Sequence, residues 1–306
     1  MKGIKTFIPS LALILMPLSG MPCEIAFVAG NEIRIMSLDG TDVRRIAIPG
    51  ASFVGHPSFS PDGRWIAFEC SLKPGTPTDI FRADIDGGKL ENLTNTPAVW
   101  ERCPSWSPDG RKIAFMAEMG IYILDLETGE RRRISPRNSC DTYPSWSPDG
   151  RKITFESILP GPNAEIFMCD ADGGNRIRLT RHPSPDQQPV FTPDGREVVF
   201  ISRRDGPPGL FILNLSDRSV ERLPVRGEIE AIWNPAVSPD GGMIAFKGHE
   251  RLDPPGSWNI YVMDFPSGRG LRKLGEGNSP CWSPLPGVGL SSLPRIPALW
   301  GMIKAR

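Results

Sequence analysis

Along the whole chain, short apolar runs rich in Ile, Val, Phe and Trp are separated by clusters of Pro, Gly, Asp and Ser. This spacing predicts many short strands joined by tight turns, not helices. One block recurs. Pro57 to Gly63 reads PSFSPDG, Pro104 to Gly110 and Pro144 to Gly150 read PSWSPDG, Pro189 to Gly195 reads PVFTPDG, and Pro235 to Gly241 reads PAVSPDG. A sixth copy, Pro280 to Pro284, reads PCWSP and then breaks off. The second prolines of the blocks, Pro61, Pro108, Pro148, Pro193, Pro239 and Pro284, lie 47, 40, 45, 46 and 45 residues apart, a period that fits four short strands and their turns.

Within each period the block predicts a strand that enters a hairpin turn: Pro presets φ, Asp accepts backbone N–H groups, and Gly takes the left-handed position. Second strands of alternating burial are expected at Trp65 to Phe68, Lys112 to Phe115, Lys152 to Phe155, Glu197 to Phe200 and Met243 to Phe246. Third strands follow at Asp79 to Phe81, Ile121 to Ile123, Glu165 to Phe167, Leu210 to Ile212 and Asn259 to Tyr261, then short fourth strands such as Leu90 to Leu93. The first unit is split. Glu24 to Ala29, Glu32 to Leu38 and Asp42 to Ile48 supply three strands without a preceding block, and Pro280 to Ser283 supplies an inner strand with nothing after it. Joining them closes a ring and removes exposed strand edges. The expected fold is an all-β, six-bladed propeller of four-stranded antiparallel blades over residues 23–284.

Composition narrows the function classes. Lys plus Arg and Asp plus Glu each number 35, and no long run of one sign occurs, so neither nucleic acid nor an anionic membrane is an expected partner. Lys2 and Lys5 precede an apolar stretch from Phe7 to Leu18 that is interrupted by Pro9 and Pro17. Residues 1–22 therefore read as a secretory signal peptide, too short and too broken for a membrane span, which places the mature monomer in the periplasm or outside the cell. Met21 and Pro22 ahead of Cys23 do not make a lipoprotein site. Residues 285–306 read as an apolar, proline-punctuated tail without an integral membrane segment.

The Pro-x-Trp-Ser-Pro-Asp-Gly blocks, the Ile-Ala-Phe strands and the Leu-Thr ends at Leu93-Thr94 and Leu179-Thr180 resemble the propeller repeats of the TolB family. The resemblance covers roughly residues 24–284. It implies the propeller alone, because TolB carries an α/β domain ahead of its propeller, through which it engages TolA, whereas here propeller strands follow the leader directly. Similar repeats occur in prolyl-oligopeptidase-like enzymes, oligogalacturonate lyases and other exported proteins. The implied function is a non-enzymatic scaffold for a protein or peptide partner; the alternative is a metal-dependent carbohydrate-active enzyme resembling the lyases, which bind a divalent metal through histidines on one face of the ring.

Strand direction places the uniform SPDG turns on one face and the variable links on the other, where binding residues are expected. The residue before each block proline should ring the channel: His56, Cys103, Tyr143, Gln188, Asn234 and Ser279, with Arg102 and Trp233 one position earlier. Such a polar, partly aromatic ring suits a peptide, a protein loop or a glycan. Glu101, Asp141 and Asp186 sit further out, with Arg102 and Arg181 as expected counter-charges. The repeated aspartates Asp62, Asp109, Asp149, Asp194 and Asp240 read as turn devices. No Gly-x-Ser-x-Gly elbow, P-loop, Rossmann fingerprint, HExxH or paired CxxC occurs, so no catalytic residue, metal or cofactor is assigned. Of the six cysteines, Cys70, Cys103 and Cys140 approach the variable face; Cys70–Cys103 and Cys103–Cys140 are both open as bridges, and Cys169 should stay free.

Overall fold

The computed structural model describes residues 23–158, 161–254 and 256–284; the segments expected as a leader, 1–22, and as a tail, 285–306, lie outside these. Six four-stranded antiparallel sheets form the molecule, and no α-helix occurs among the described residues. The first sheet contains β1 (Glu24–Ala29), β2 (Glu32–Ser37) and β3 (Arg44–Ile46). The second is β4 (Phe53–Phe59), β5 (Trp65–Ser71), β6 (Asp79–Asp84) and β7 (Leu90–Asn92). The third is β8 (Glu101–Trp106), β9 (Lys112–Ala117), β10 (Gly120–Asp125) and β11 (Arg131–Arg133). The fourth is β12 (Asp141–Trp146), β13 (Lys152–Ser157), β14 (Glu165–Asp170) and β15 (Ile177–Arg178). The fifth is β16 (Asp186–Phe191), β17 (Glu197–Ser202), β18 (Gly209–Asn214) and β19 (Val220–Arg222). The sixth is β20 (Ile229–Val237), β21 (Met243–Glu250), β22 (Asn259–Asp264) and β23 (Arg272–Glu276). The last strand, β24 (Asn278–Trp282), returns to the first sheet as its inner strand.

Closure is direct. β24 pairs antiparallel with β1, Ile25 opposite Trp282 and Ala26 opposite Cys281. The Ser283 amide donates to the Glu24 carbonyl at 2.9 Å, and the Glu24 amide donates to Ser283 Oγ at 3.0 Å. Six hydrophobic clusters fill the six gaps between neighbouring blades, including the one at the seam, where Phe27, Met36 and Trp282 of the first sheet meet Ile260 and Val262 of the sixth. Each sheet thus buries both faces against neighbours, so β5, β13 and β17 are buried almost throughout instead of alternating. The expected alternation assumed one wet face, and an inner blade strand has none.

The SPDG turn carries its own hydrogen bonds. In the first copy Ser60 Oγ donates to Asp62 Oδ1 (2.6 Å) and accepts from the Trp65 amide (2.9 Å), while Asp62 Oδ1 also accepts from the Arg64 amide (3.0 Å). Gly63 has φ 70°, a conformation costly for any residue with a Cβ. The turns also touch around the ring: Pro61 lies against Gly110, Pro108 against Gly150, Pro148 against Gly195, Pro193 against Gly241, and Pro284 against Gly63. This uniform face is therefore a structural rim, and it leaves the opposite face free to vary.

Candidate functional site at the channel mouth

The inner strands share an irregularity at the same place. The ladder shifts register between Gly55 and Ser58, Arg102 and Ser105, Thr142 and Ser145, Gln187 and Val190, and Trp233 and Ala236. At these bulges, and at the matching point of β24, sit six non-glycine residues in the left-handed region: His56 (φ 44°), Cys103 (53°), Tyr143 (53°), Gln188 (53°), Asn234 (52°) and Ser279 (50°). Each precedes a proline. A bulge re-aims a side chain, and left-handed backbone at residues with a Cβ costs about 1–3 kcal/mol each. These residues and their prolines line one cavity of about 180 Å³. Six of the eight expected site residues thus converge on it.

Arg102 and Trp233 do not line the cavity. The Arg102 guanidinium lies 4.8 Å from the Trp100 ring centre, and Trp233 lies under Arg203 at 5.8 Å. Lys247, opposite Trp233 in the β20–β21 ladder, sits 4.1 Å over Trp258. Its burial lowers its pKa from the ordinary lysine value. Among the described residues none of these three cations forms an ion pair, so aromatic faces are their partners.

Re-aiming the inner strand leaves amides without ladder partners, and side chains of the neighbouring blade take them up. The Cys103 amide donates to Glu69 Oε2 (3.0 Å), the Gln188 amide to Glu156 Oε2 (2.9 Å), and the Asn234 amide to Gln188 Oε1 (2.7 Å). Glu69 and Glu156 were not among the expected site residues. Their signal was an acidic residue closing an otherwise apolar second strand, as in Ile66-Ala67-Phe68-Glu69. Glu69 Oε1 also lies 3.0 Å from His56 Nδ1, and Asn234 Nδ2 lies 3.3 Å from His56 Nε2. The Tyr143 ring packs edge-on against the imidazole with centres 5.5 Å apart. Burial alone would lower the His56 pKa, but the adjacent Cys103 thiol and Glu69 carboxylate outweigh it and hold His56 well above its ordinary value. Burial pushes the Cys103 thiol up, outweighing the opposite pull of the His56 ring beside it. Burial also pushes the Tyr143 phenol up to about 12.

The outer acidic positions serve the fold. Glu101, Asp141 and Asp186 are fully buried and pair with Arg131 (2.7 Å), Arg176 (2.6 Å) and Arg204 (2.8 Å), not with Arg102 or Arg181. Those three guanidinium groups lie over the aromatic pairs Phe115 and Tyr122, Phe155 and Phe167, and Phe200 and Phe211. His182 and His249 are tied elsewhere: His182 Nδ1 accepts from the Ser184 amide (3.1 Å), and His249 Nδ1 lies 2.9 Å from the Ser257 carbonyl. Of the three histidines only His56 reaches the cavity. All six cysteines are unbridged in the structure. The His56, Glu69 and Cys103 donor atoms lie within 4.8 Å of one another, the one such group found among the described residues.

A family model described as the TolB beta propeller domain matches residues 102–286, more than half of the chain. The chain belongs to the TolB β-propeller family. TolB from Acinetobacter baumannii is 25% identical, with a TM-score of 0.74 over 88% of this chain and 69% of that one. A putative TolB from Agrobacterium tumefaciens gives 24% identity and a TM-score of 0.68 over 85% and 91%. An oligogalacturonate lyase in complex with manganese, at 15% identity and a TM-score of 0.55 over 84% and 73%, shares the fold alone. No curated protein matches. As a TolB-family propeller the chain has the architecture of a binding scaffold, and no described helix is long and apolar enough to cross a membrane.

Proposed function

We propose that this protein is an exported, monomeric, non-enzymatic scaffold that receives a protein or peptide partner on its variable loop face. The observation that carries the reading is the mouth itself: six strained residues around one cavity, with Arg102 beside Cys103 in its strand, Arg203 over Trp233 and Lys247 opposite Trp233 in the ladder. Each of the three cations lies against a tryptophan ring and is in no ion pair among the described residues. Strain held at one place in every blade is a mark of functional surfaces. Tryptophan and arginine are the side chains that most often anchor an interface, and unpaired cations at its border favour a partner segment bearing acidic groups. The leader-like residues 1–22 support a periplasmic or secreted location, with residues 23–284 as the working domain and 285–306 as a tail.

The test is a pull-down from envelope extract with the purified protein, set beside the triple variant Arg102→Glu, Tyr143→Ala and Trp233→Ala. Loss of a partner in the variant, with its melting transition retained, is the expected result. Equal recovery by both proteins removes the site assignment.

A further inference from the structure

The group formed by His56, Glu69 and Cys103 has more organisation than a partner-binding surface requires. Two donors come from one blade, on β4 and β5, and the third from the next, on β8. Glu69 divides its work: Oε2 holds the Cys103 amide, leaving Oε1 beside His56 Nδ1. Gly55 makes this possible, since a Cβ there would stand 2.5 Å from Glu69 Oε1. The other blades carry Arg102, Thr142, Gln187, Trp233 and Asn278 at that position. Cys103 and His56 are held in left-handed backbone beside the cavity.

We propose that His56, Glu69 and Cys103 form a binding site for a borderline transition-metal dication such as Zn²⁺, with its fourth position open to the channel cavity. An imidazole, a carboxylate and a thiol in one set favour Zn²⁺ over Ca²⁺ or Mg²⁺, which take oxygen ligands. Bonds of about 2.0–2.3 Å put tetrahedral ligand atoms roughly 3.3–3.7 Å apart, so donors within 4.8 Å need shifts of about an ångström or less to close on an ion. Glu69 Oε1 can bind the ion while Oε2 keeps the Cys103 amide. With Nδ1 as the histidine ligand, Nε2–H faces Asn234, whose amide can turn to present Oδ1 as acceptor. The thiol proton and the proton that His56 Nδ1 shares with Glu69 both leave to bulk water as the sulfur–metal and nitrogen–metal bonds form. The site does not rest on the partner reading: an ion can bind with no macromolecule present.

The experiment is a Co²⁺ titration of reduced, tag-free protein, read by absorption and repeated with Cys103→Ser and His56→Gln. Both variants keep Glu69 and its bond to the Cys103 amide, and circular dichroism checks that they fold. The expected result is one Co²⁺ per chain, with a near-ultraviolet thiolate-to-cobalt band and intense visible bands of tetrahedral cobalt, both abolished by one equivalent of Zn²⁺. Cys103→Ser should lose the near-ultraviolet band and His56→Gln should bind at least tenfold more weakly. Absence of a stoichiometric band overturns the site, as does an undiminished band in Cys103→Ser, which would place the thiolate at another cysteine.

Discussion

Glu156 shows how a single side chain keeps the channel mouth in shape. It is buried, its pKa is raised chiefly by that burial, and it accepts the amide of Gln188, whose own side chain accepts the amide of Asn234 in the next blade. Replacing it with Ala strands a buried donor at a cost of about 1–3 kcal/mol, whereas Gln keeps an acceptor. In urea unfolding, Glu156→Ala should therefore lose about that much stability and Glu156→Gln well under half of it; equal losses would show that the carboxylate charge, not the acceptor, matters. The six mouth residues were legible because each stands beside a block proline in the sequence. Glu69 and Glu156 were not, because their partners lie one blade away and no local period reports a contact between sheets. The counter-charges of the outer acids were missed for another reason: Arg131, Arg176 and Arg204 lie in the same blade as their acids but 18 to 35 residues further along the chain, whereas Arg102 and Arg181 are near neighbours in sequence.

At the scale of strands and turns, local chemistry wrote itself plainly into the chain. Ser-Pro-Asp-Gly closes its own turn with hydrogen bonds within the block and from the two residues that follow it, so the hairpins needed no tertiary information. The alternation expected of second strands was lost to packing on both faces. The fourth blade joins its strands by a buried pair: Asp141 meets both Nη atoms of Arg176 and the Ser135 hydroxyl. Burial would raise the Asp141 pKa, but these partners outweigh it and hold the carboxyl below its ordinary value of 3.8. A lowered folded-state pKa means that the pair contributes fully above about pH 4 and is lost as pH falls through the folded value. The melting temperature should thus fall between pH 7 and pH 3, and fall less in Asp141→Asn, although that variant is weaker at pH 7 because Arg176 loses its partner. An identical acid dependence in the two proteins would show that other carboxyls govern it.

For the whole molecule, closure joins fold and function. β24 completes the first sheet, Trp282 Nε1 donates to the Ala236 carbonyl of the sixth blade at 2.8 Å, and Pro284 completes the circle of turn contacts on the uniform face. A ring of this kind holds six bulged strands at fixed spacing, which a row of blades open at one seam would not. The split first unit foretold the seam, since strands without an inner partner and an inner strand without followers can satisfy only each other. The two faces then divide the work: repeated turns on one, and on the other the cavity, its stacked cations and the exposed apolar side chains Leu72, Trp100, Met119 and Ile158. The division is tested most directly by a photoreactive benzophenone residue placed in living cells at Leu72 or Ile158 on the variable face, and at Arg111 or Arg151 on the turn face. Discrete adducts with a partner should form from positions 72 and 158 alone. Adducts from the turn face only, or equally from both faces, would contradict the assignment of binding to the channel mouth.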